Sequence, residues 1–334
     1  MIMLADLHLG LGEDNSLWHK SSLILAAEIH DIAVKHNIDT ICVLGDIFDN
    51  RKQISQKTHD LAIEIMTGIW KDFRVILVRG NHDTYYKERP VPNWLKMFKD
   101  SENVITVETE PCVYKDYCFV PWDYDISTLD WKGILLGHFE IGGFKMNNYY
   151  ECNSSILTPR SFDRFKQVFS GHFHFPQSYG NIHYIGSPFQ HNFGDVGSKR
   201  GYYILDEEET LRFYEFTKSP QFVILRTNET ITSEQVKGNM VKIVFDKDYG
   251  TRRNNNLIED VEMMEPAALV GVDTSSFTID DSVLNGMNSD DVVIKDNETL
   301  LKDYIGVLDF PDHLKKKTML TMINMLIREV SSED

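Results

Sequence analysis

The chain has few cysteines, and their positions exclude two classes of protein. The four cysteines in 334 residues are Cys42, Cys112, Cys118 and Cys152, and they do not have the spacing of a thiolate metal site. Cys42 also falls inside an apolar run that predicts a buried strand. The pattern indicates free thiols in a reducing compartment, not a disulfide framework or a cysteine-based metal centre.

Long hydrophobic runs are also lacking. A membrane-spanning helix needs about 20 predominantly apolar residues, and no stretch of this sequence reaches that length. The apolar stretch at the start of the chain is interrupted by Asp6, so we expect no secretory signal peptide. The sequence therefore predicts a cytoplasmic protein that makes no membrane contact.

The chain has fewer basic than acidic residues. The chain has 34 Lys and Arg against 51 Asp and Glu, which gives a formal net charge of −17 at pH 7. The chain is therefore not expected to bind nucleic acid through its overall charge. Any such binding would have to depend on metal ions, local basic loops or a basic partner. Hydrophobic residues make up 42% of the chain, which suits a globular core, and the length allows two domains.

Short apolar runs that end in Asp, Asn or His, usually beside glycine, recur along the sequence. The polar ends of these five runs are Asp6-Leu7-His8, Gly45-Asp46-Ile47-Phe48-Asp49, Gly80-Asn81-His82-Asp83, Gly137-His138 and Gly171-His172-Phe173-His174. Short continuous apolar runs are typical of strands that are buried on both faces. Because ligands gather at the carboxyl ends of such strands, we expect the five loops to converge at one edge.

The polar residues of these loops form a set of candidate metal ligands. The set contains two carboxylates, one amide and four imidazoles, namely Asp6, Asp46, Asn81, His8, His138, His172 and His174. One cation rarely takes so many side chains, whereas two cations that share a carboxylate would. Mixed oxygen and nitrogen ligands suit manganese, iron or zinc. Two cations about 3.5–4 Å apart can stabilise the attacking and leaving oxygens of a displacement at phosphorus.

In this order the five motifs resemble those of the calcineurin-like metallophosphoesterase superfamily. More narrowly, the chain resembles the SbcD-type nuclease subunits of double-strand-break repair, especially the small subunit of phage recombination endonucleases. The further residues that carry this resemblance are those of segments 45–55, 184–188, 193–195 and 199–201. The resemblance covers residues 1–215 well and the remainder only in outline.

The resemblance implies an α/β fold, a metallophosphoesterase β-sandwich flanked by helices, with a small α+β capping domain and a C-terminal helical tail. The expected parts are a nuclease domain (1–216), a capping domain (217–272), a polar linker (273–296) and an ATPase-binding tail (297–334). The capping domain would help to position DNA, although its residues alone suit a structural appendage nearly as well. Apolar spacing predicts helices over 21–35 and 58–70 that cover the sheet. The apolar strip of the second helix could also serve a homodimer, but we put packing first.

The resemblance also assigns roles to the candidate ligands. Asp46 would be shared by two divalent cations, which we take to be manganese. The remaining ligands would divide into one site with Asp6, His8 and His174 and another with Asn81, His138 and His172. The residues themselves predict the seven-member set and not this division.

Catalytic and phosphate-binding roles follow from the same resemblance. His82 would protonate the leaving oxygen or stabilise charge on phosphorus, and Asp83 and Asp49 would orient it. Some relatives carry a second histidine at the position of Asp49, so a mechanism with two histidines is in doubt here. Basic residues in the loops beside the motifs would contact DNA phosphates, namely Arg51, Lys52, Arg79, Lys87, Arg89, Lys199 and Arg200.

The implied function is that of a manganese-dependent DNA exonuclease and endonuclease subunit. It would hydrolyse phosphodiester bonds in DNA end processing and in recombination-dependent repair and replication, in the cytoplasm of a phage-infected bacterium. Its partner would be an SMC-like ATPase of the SbcC type, in a 2:2 complex built on a nuclease homodimer. The alternatives are a phosphatase or small-molecule phosphodiesterase on the same scaffold, and a non-catalytic scaffold. The intact ligand set and His82 argue against the last.

The C-terminal tail has two apolar stripes at helical spacing, separated by a break at Pro311. Such stripes, rich in methionine, are common on partner-binding surfaces, so we expect them to contact the ATPase. The alternative is that they pack on the nuclease domain. The residues predicted to bind the partner are Leu301, Ile305, Met322, Ile323, Leu326 and Ile327.

Overall fold

A computed structural model describes residues 1–87, 89–146, 150–153 and 155–274 of the chain. In these residues the strands are β1 (Ile2–Leu4), β2 (Thr40–Leu44), β3 (Arg74–Val78), β4 (Val104–Val107), β5 (Cys112–Tyr114), β6 (Tyr117–Val120), β7 (Ile134–His138), β8 (Gln167–Gly171), β9 (Gln177–Tyr179), β10 (Ile182–Tyr184), β11 (Gly201–Leu205), β12 (Leu211–Glu215), β13 (Phe222–Arg226), β14 (Met240–Val244) and β15 (Ala268–Asp273). The predicted linker beyond residue 274 and the tail, with its six partner-binding residues, lie outside the described residues.

Two six-stranded sheets form the body of the protein. The first has the order β12-β11-β1-β2-β3-β4, with β1 to β4 parallel and the strands β11 and β12 antiparallel at one side. The second has the order β5-β6-β7-β8-β10-β9, in which β6, β7, β8 and β10 are parallel and the edge strands β5 and β9 are antiparallel to their neighbours. The α/β sandwich expected from the sequence is therefore confirmed.

The apolar runs are continuous because both faces of these strands are covered. One cluster of buried side chains, which includes Cys42 and Leu44 from β2 and Phe169 from β8, lies between the two sheets. Alternate residues of the first sheet, such as Ile41 and Val43, pack against the helices on its outer face. Every residue of β2 is buried as a result, which explains why its sequence does not alternate between polar and apolar residues.

Helices cover the outer face of the first sheet. The described helices are α1 (Leu11–Asp14), α2 (Ser16–Lys35), α3 (Gln56–Ile63), α4 (Ser233–Val236) and α5 (Thr251–Met263), with a π-helical turn at Glu64–Ile69 and 3₁₀ turns at Trp94–Phe98, Ile126–Thr128, Pro159–Phe162 and Phe193–Asp195. The helix predicted over 21–35 begins earlier, because the Asn15 side chain accepts a hydrogen bond from the Leu17 N–H and caps the helix there. Among the described residues, no helix combines the length and apolar character that a membrane span requires.

The helix predicted over 58–70 consists of α3 and the π-helical turn that follows it. Its apolar strip is buried: Leu61, Ile65 and Trp70 are each at most 5% exposed. The indole of Trp70 also donates a hydrogen bond to the Ala26 carbonyl in α2, at 2.9 Å. The strip therefore packs on the protein's own core, which was the first of the two alternatives, and the homodimer stays a prediction.

A small third sheet follows the sandwich. Its strands β13, β14 and β15 are parallel, and α4 and α5 connect them. Phe222 at the start of β13 stacks on Trp18 of α2, with ring centroids 5.9 Å apart, and its N–H donates to Gln190 at 2.8 Å. This small α+β unit is thereby attached to the sandwich beside residue 190. Its capping role and the predicted domain boundaries stay predictions.

The five polar loops come from both sheets. Three of them follow β1, β2 and β3 of the first sheet, and two follow β7 and β8 of the second. The two sheets meet where these strands end, since the His138 ring at the end of β7 donates to the Leu44 carbonyl of β2 at 2.8 Å. The polar residues therefore gather where the edges of two sheets meet.

The close approach of the two sheets depends on Gly171 at the end of β8. A Cβ at this position would lie 2.2 Å from the Leu44 carbonyl oxygen in the opposite sheet. We expect Gly171→Ala to lower the free energy of unfolding by about 1–3 kcal/mol, because the sheets must move apart to admit the methyl group. Urea denaturation followed by circular dichroism measures the change.

The matched control is Gly68→Ala in the π-helical turn, where an added Cβ meets nothing within 4 Å. There we expect no loss of stability, or a gain of about 0.5–1 kcal/mol from the smaller backbone entropy of the unfolded chain. Equal unfolding midpoints for both variants would contradict the tight sheet contact.

Candidate metal centre

Several candidate ligands have an unusual backbone conformation. Asp6, His8, Asp46 and His172 all have positive φ, at 52°, 44°, 50° and 91°. Residues other than glycine rarely adopt these angles, and they persist only where the surrounding structure imposes them. Here the loops are tied together, since the Asp6 N–H donates to the Gly45 carbonyl and the His8 N–H to the Asp46 carbonyl, both at 3.0 Å. Four of the eleven non-glycine residues with positive φ in the described part of the chain are thus predicted ligands, and strained residues of this kind are typical of functional sites.

Two glycines let the loops close on one another. A Cβ on Gly45 would lie 2.2 Å from Nδ1 of His138, and a Cβ on Gly80 would lie 2.2 Å from both the backbone nitrogen and Oδ1 of Asp46. A larger residue at Gly45 would push loops of different sheets apart, and one at Gly80 would separate two neighbouring loops of the first sheet. This steric limit explains why glycine stands beside the polar residues in these motifs.

Four predicted ligands meet on one side of the site. Oδ1 of Asn81 lies 3.0 Å from Nε2 of His138 and 3.0 Å from Nδ1 of His172. Nε2 of His138 lies 3.4 Å from Oδ2 of Asp46. Ligand atoms of Asp46, His138 and His172 lie within 4.8 Å of one another. This is close enough for one cation to bind all of them.

The other predicted ligands meet on the opposite side of Asp46. Nε2 of His8 lies 3.8 Å from Oδ2 of Asp46, and ligand atoms of Asp6, His8 and Asp46 lie within 4.8 Å of one another. The ring of His174 lies edge-on to that of His8, with centroids 4.9 Å apart. The structure thus brings all seven predicted ligands together, and Asp46 lies between the two groups.

Each of three histidine rings makes a hydrogen bond on the side away from the other candidate ligands. These bonds determine which imidazole nitrogen faces the site. The outer nitrogens donate to fixed acceptors: Nδ1 of His8 to Asp49 at 3.0 Å, Nδ1 of His138 to the Leu44 carbonyl at 2.8 Å, and Nε2 of His172 to Glu140 at 3.3 Å. In the neutral rings the inner nitrogens therefore carry lone pairs. Such outer partners are what orient histidine ligands in metal sites.

The inner atoms fit divalent cations. When His138 is neutral, its inner lone pair and that of His172 face the Asn81 carbonyl oxygen, so three acceptors converge at distances of 3.0 Å. Nε2 of His8 is buried and has no hydrogen-bond partner among the described residues. Acceptors lie this close together in sites where one cation binds all of them. A buried polar atom also requires a hydrogen-bond partner or a cation.

The pKa shifts of the carboxyl groups also indicate that the site requires positive charge. Burial disfavours the charged form of Asp46, but the neighbouring His138 outweighs it and holds the pKa of that carboxyl well below its usual range. Burial also opposes the charge of His138, yet Asp46 raises its pKa to about 9. Burial, together with the charge of Asp46, raises the pKa of Asp6 to about 6. The carboxylates thus depend on a protonated ring for the positive charge that divalent cations would supply.

The rings of His82, His172 and His174 favour the neutral form. Burial lowers the pKa of His82 and of His172, and burial next to His8 lowers the pKa of His174 well below its usual range. Neutral imidazole is the form in which histidine binds metals. These rings are therefore in the state that a metal site requires.

His82 lines the same cavity, which has a volume of about 280 Å³. Its backbone N–H donates to Oδ1 of Asp46 at 2.7 Å, and its Nδ1 donates to the Asp49 carbonyl at 2.6 Å. Asp49 thus contacts His82 through its backbone and His8 through its side chain.

The side chain of Asp83 has a different set of partners from the one we expected. Its carboxylate accepts hydrogen bonds from three backbone N–H groups, those of Gly80 at 2.7 Å, Ile47 at 2.9 Å and Phe48 at 3.1 Å. Burial, together with Asp46, raises the pKa of this carboxyl to about 7. Asp83 therefore joins the two loops that carry Asp46 and His82, and it is the Asp49 carbonyl that holds the His82 ring.

Two of the predicted phosphate contacts are buried. The Arg79 guanidinium donates to the carbonyls of Glu108 and Trp122, and the side chain of Arg200 pairs with Asp195 at 2.7 Å. These two arginines are 4% and 2% exposed. Their hydrogen bonds hold loops of the sandwich, so they are not available to a phosphate backbone, and that prediction was wrong for both.

The other predicted phosphate contacts lie at the surface. Lys199 is exposed and pairs with Glu215 at 2.9 Å. Arg51 is half-buried and close enough to His82 to affect its pKa. The remaining exposed basic residues in loops near the cavity are Lys52, Lys87 and Arg89. Their contacts with DNA stay predictions.

The motif analysis missed His191, which also lines the cavity, next to Asn192. Its ring lies edge-on to those of His8 and His174, with centroids 5.0 Å and 4.6 Å away. Burial and the neighbouring His174 lower its pKa well below the usual range. In the sequence it stands between segments 184–188 and 193–195, which we had used only for the resemblance. It does not end a strand, so the strand-end pattern could not find it.

The chain is similar to Exonuclease subunit 1 of Enterobacteria phage T4, with 25% identity over 350 residues that cover 99% of this chain and 99% of that protein. Among solved structures, the nuclease MPE of Pseudomonas putida matches 60% of this chain and 82% of its own, at 15% identity and a TM-score of 0.31. A TM-score this low does not establish a shared overall fold.

A family model for calcineurin-like phosphoesterases matches residues 2–176. This range takes in all five motifs and the seven candidate ligands, and it spans just over half of the chain. The chain is therefore an enzyme of the calcineurin-like phosphoesterase family.

Proposed function

We propose that the protein is a manganese-dependent nuclease subunit that hydrolyses phosphodiester bonds of DNA. The observation that carries this proposal is the convergence of seven candidate ligands beside one open cavity, which five of them line together with His82. The relative from phage T4 is named an exonuclease subunit, which supports DNA as the substrate over a small phosphate ester. End processing in recombination-dependent repair and replication would be its place in the cell, in the cytoplasm of a phage-infected bacterium.

Asp46 would be shared by the two cations. Its Oδ2 lies 3.4 Å from the inner nitrogen of His138 and 3.8 Å from that of His8, so one carboxylate reaches both ligand groups. Asp6, His8 and His174 would complete one position, and Asn81, His138 and His172 the other. When bound, two divalent cations activate water and stabilise the charge that develops on the oxygens around phosphorus.

His82 would act on the substrate through Nε2. Because its Nδ1 donates to the Asp49 carbonyl at 2.6 Å, Nε2 of the neutral ring carries a lone pair and holds a proton only when the ring is an imidazolium. A proton at Nε2 can pass to the leaving oxygen or donate a hydrogen bond to a phosphate oxygen. Asp49 would be the positioning residue for both His82 and His8.

Local basic loops would contact the DNA backbone. The net charge of −17 makes the chain as a whole repel DNA. Arg51 and Lys52 follow the Asp49 loop, and Lys87 and Arg89 follow the His82 loop. The indole of Trp94 donates to the Asn50 carbonyl at 3.1 Å and so connects these two loops. They would present positive charge together at the rim of the cavity.

An SMC-like ATPase of the SbcC type would supply the rest of the hold on DNA. The phage T4 relative is named a subunit, and its match extends over 99% of this chain, including the tail. The two apolar stripes of the tail would bind the ATPase, and a nuclease homodimer would complete a 2:2 assembly. The polar linker at 273–296 would connect the tail to the nuclease domain.

Manganese-dependent release of nucleotides from linear duplex DNA tests the proposed substrate. The full chain, with the ATPase present, should release nucleotides, and chelation of the metal should stop the reaction. An aryl phosphodiester serves as the comparison substrate. Hydrolysis of the small ester with no action on DNA would make the protein a small-molecule phosphodiesterase or phosphatase.

The variant His82→Ala tests the proposed catalytic residue. It should bind manganese as the parent does but lower the single-turnover rate of DNA hydrolysis by about 10²–10⁴-fold, because a proton donor at phosphorus is lost. The control Asp46→Ala removes the shared carboxylate and should lose metal binding together with hydrolysis. Loss of manganese from His82→Ala would instead identify His82 as a ligand, and an unchanged rate would remove it from the mechanism.

Charging one tail stripe tests the proposed partner surface. The double variant Ile323→Asp, Leu326→Asp should no longer co-purify with the ATPase and should lose ATP-stimulated digestion of duplex DNA, because two charges replace apolar contacts. Deletion of residues 290–334 should have the same effect and still leave metal-dependent cleavage of short unpaired DNA.

The matched control for the stripe is Thr321→Asp, Asn324→Asp, which adds the same charge on the opposite side of a helical repeat. It should retain the ATPase. Co-purification of the stripe variant at parental affinity would mean that the ATPase binds elsewhere.

A further inference from the structure

Three imidazoles, one buried and two half-buried, surround one point at the side of the cavity. We call His8, His174 and His191 the imidazole triad. Their rings are mutually edge-on, with centroid distances of 4.9 Å, 5.0 Å and 4.6 Å. One ligand nitrogen from each ring lies within 4.8 Å of the other two. The triad therefore has the spacing of a set of ligands and not of stacked rings.

Two nitrogens of the imidazole triad lack partners. Nε2 of His8 and Nε2 of His191 are both buried, and neither has a hydrogen-bond partner among the described residues. Buried polar atoms in folded proteins are almost always satisfied, so each of these atoms requires a donor or a cation. A single cation among the three rings would satisfy both.

The backbone at His191 is held in place by a buried hydrogen-bond network. The His191 N–H donates to Oδ2 of Asp195 at 2.9 Å, and Oδ1 of Asp195 accepts from Arg200 at 2.7 Å. The same guanidinium donates to the Ser187 hydroxyl at 3.0 Å. Beside it, the Gln190 side chain accepts from the Phe222 N–H at 2.8 Å. The loop that carries His191 is thus fixed on both sides, as a ligand loop must be.

We propose that Nε2 of His191 is an additional ligand of the cation position formed by Asp6, His8, Asp46 and His174. This rests on the two-cation site of the proposed function. The position would then offer three imidazoles, whereas the position of Asn81, His138 and His172 offers two imidazoles and an amide. Imidazole suits zinc, copper, iron and nickel, while oxygen ligands suit manganese and magnesium. His191 thereby makes the two positions unequal and favours a nitrogen-preferring metal at one of them.

Titration of the full chain with Co²⁺, followed by visible absorption and calorimetry, tests the assignment. The parent should bind two Co²⁺ ions. His191→Asn should weaken one of them by roughly 10-fold or more and change its absorption bands, because a nitrogen ligand is lost. The second ion should bind as before. The affinity for Mn²⁺ should change less, since Mn²⁺ depends more on oxygen ligands.

His183→Asn is the matched control. This half-buried histidine of β10 pairs with the Ser178 hydroxyl at 2.9 Å, and its ring stacks on Phe169 away from the cavity. The control should bind both Co²⁺ ions as the parent does. Circular dichroism of each variant without metal shows whether the fold is intact.

The outcomes separate this inference from the proposed function. A parent chain that binds no divalent cation overturns the metal centre and His191 together. A parent that binds two Co²⁺ ions, with His191→Asn identical in affinity and spectrum, overturns only the assignment of His191. If the variant does not fold, the more conservative His191→Gln is titrated in the same way. Weaker binding of one of its two Co²⁺ ions supports the proposal, and parental affinity and spectrum overturn it.

Discussion

The buried carboxylate of Asp46 is the constraint on which the rest of the structure depends. It is 2% exposed, it accepts the His82 N–H at 2.7 Å, and it stands between the rings of His8 and His138. A buried charge is costly unless several groups of opposite charge or polarity surround it. The chain meets this condition by bringing loops from two sheets to one carboxylate. A site that also attracts divalent cations is the direct consequence.

The loops accept strain to make this approach possible. Asp6, His8, Asp46 and His172 have positive φ, and Gly45 and Gly80 leave no room for a side chain where the loops meet. Strain of this kind persists because rigid, buried strands hold the ends of each loop. The apolar core between the two sheets thus has a functional role. It supplies the packing energy that keeps unfavourable loop conformations in place.

For three residues, the role expected from residue type and position in the sequence differs from the role that the buried contacts show. Arg79 and Arg200 stand in loops beside the motifs, as phosphate contacts would, yet both guanidinium groups are buried and paired with carbonyls or a carboxylate. Asp83 likewise follows His82 in the sequence but joins two loops through three backbone N–H groups. In each case the residue type and its position along the chain were compatible with two roles. Only the neighbours in space distinguished them.

The sequence by itself predicted the strands that precede the five motifs, the helices near 21–35 and 58–70, and the seven candidate ligands, because each follows from a local pattern. A short apolar run that ends in Gly-Asp or Gly-His specifies both a buried strand and the polar residue that its end presents. Tertiary structure alone decided that the five loops belong to two sheets, that the strip from Leu61 to Trp70 is buried, and that His191 joins the cavity. These features depend on contacts between residues far apart in the chain. No local pattern encodes such contacts, and packing of the two sheets creates them.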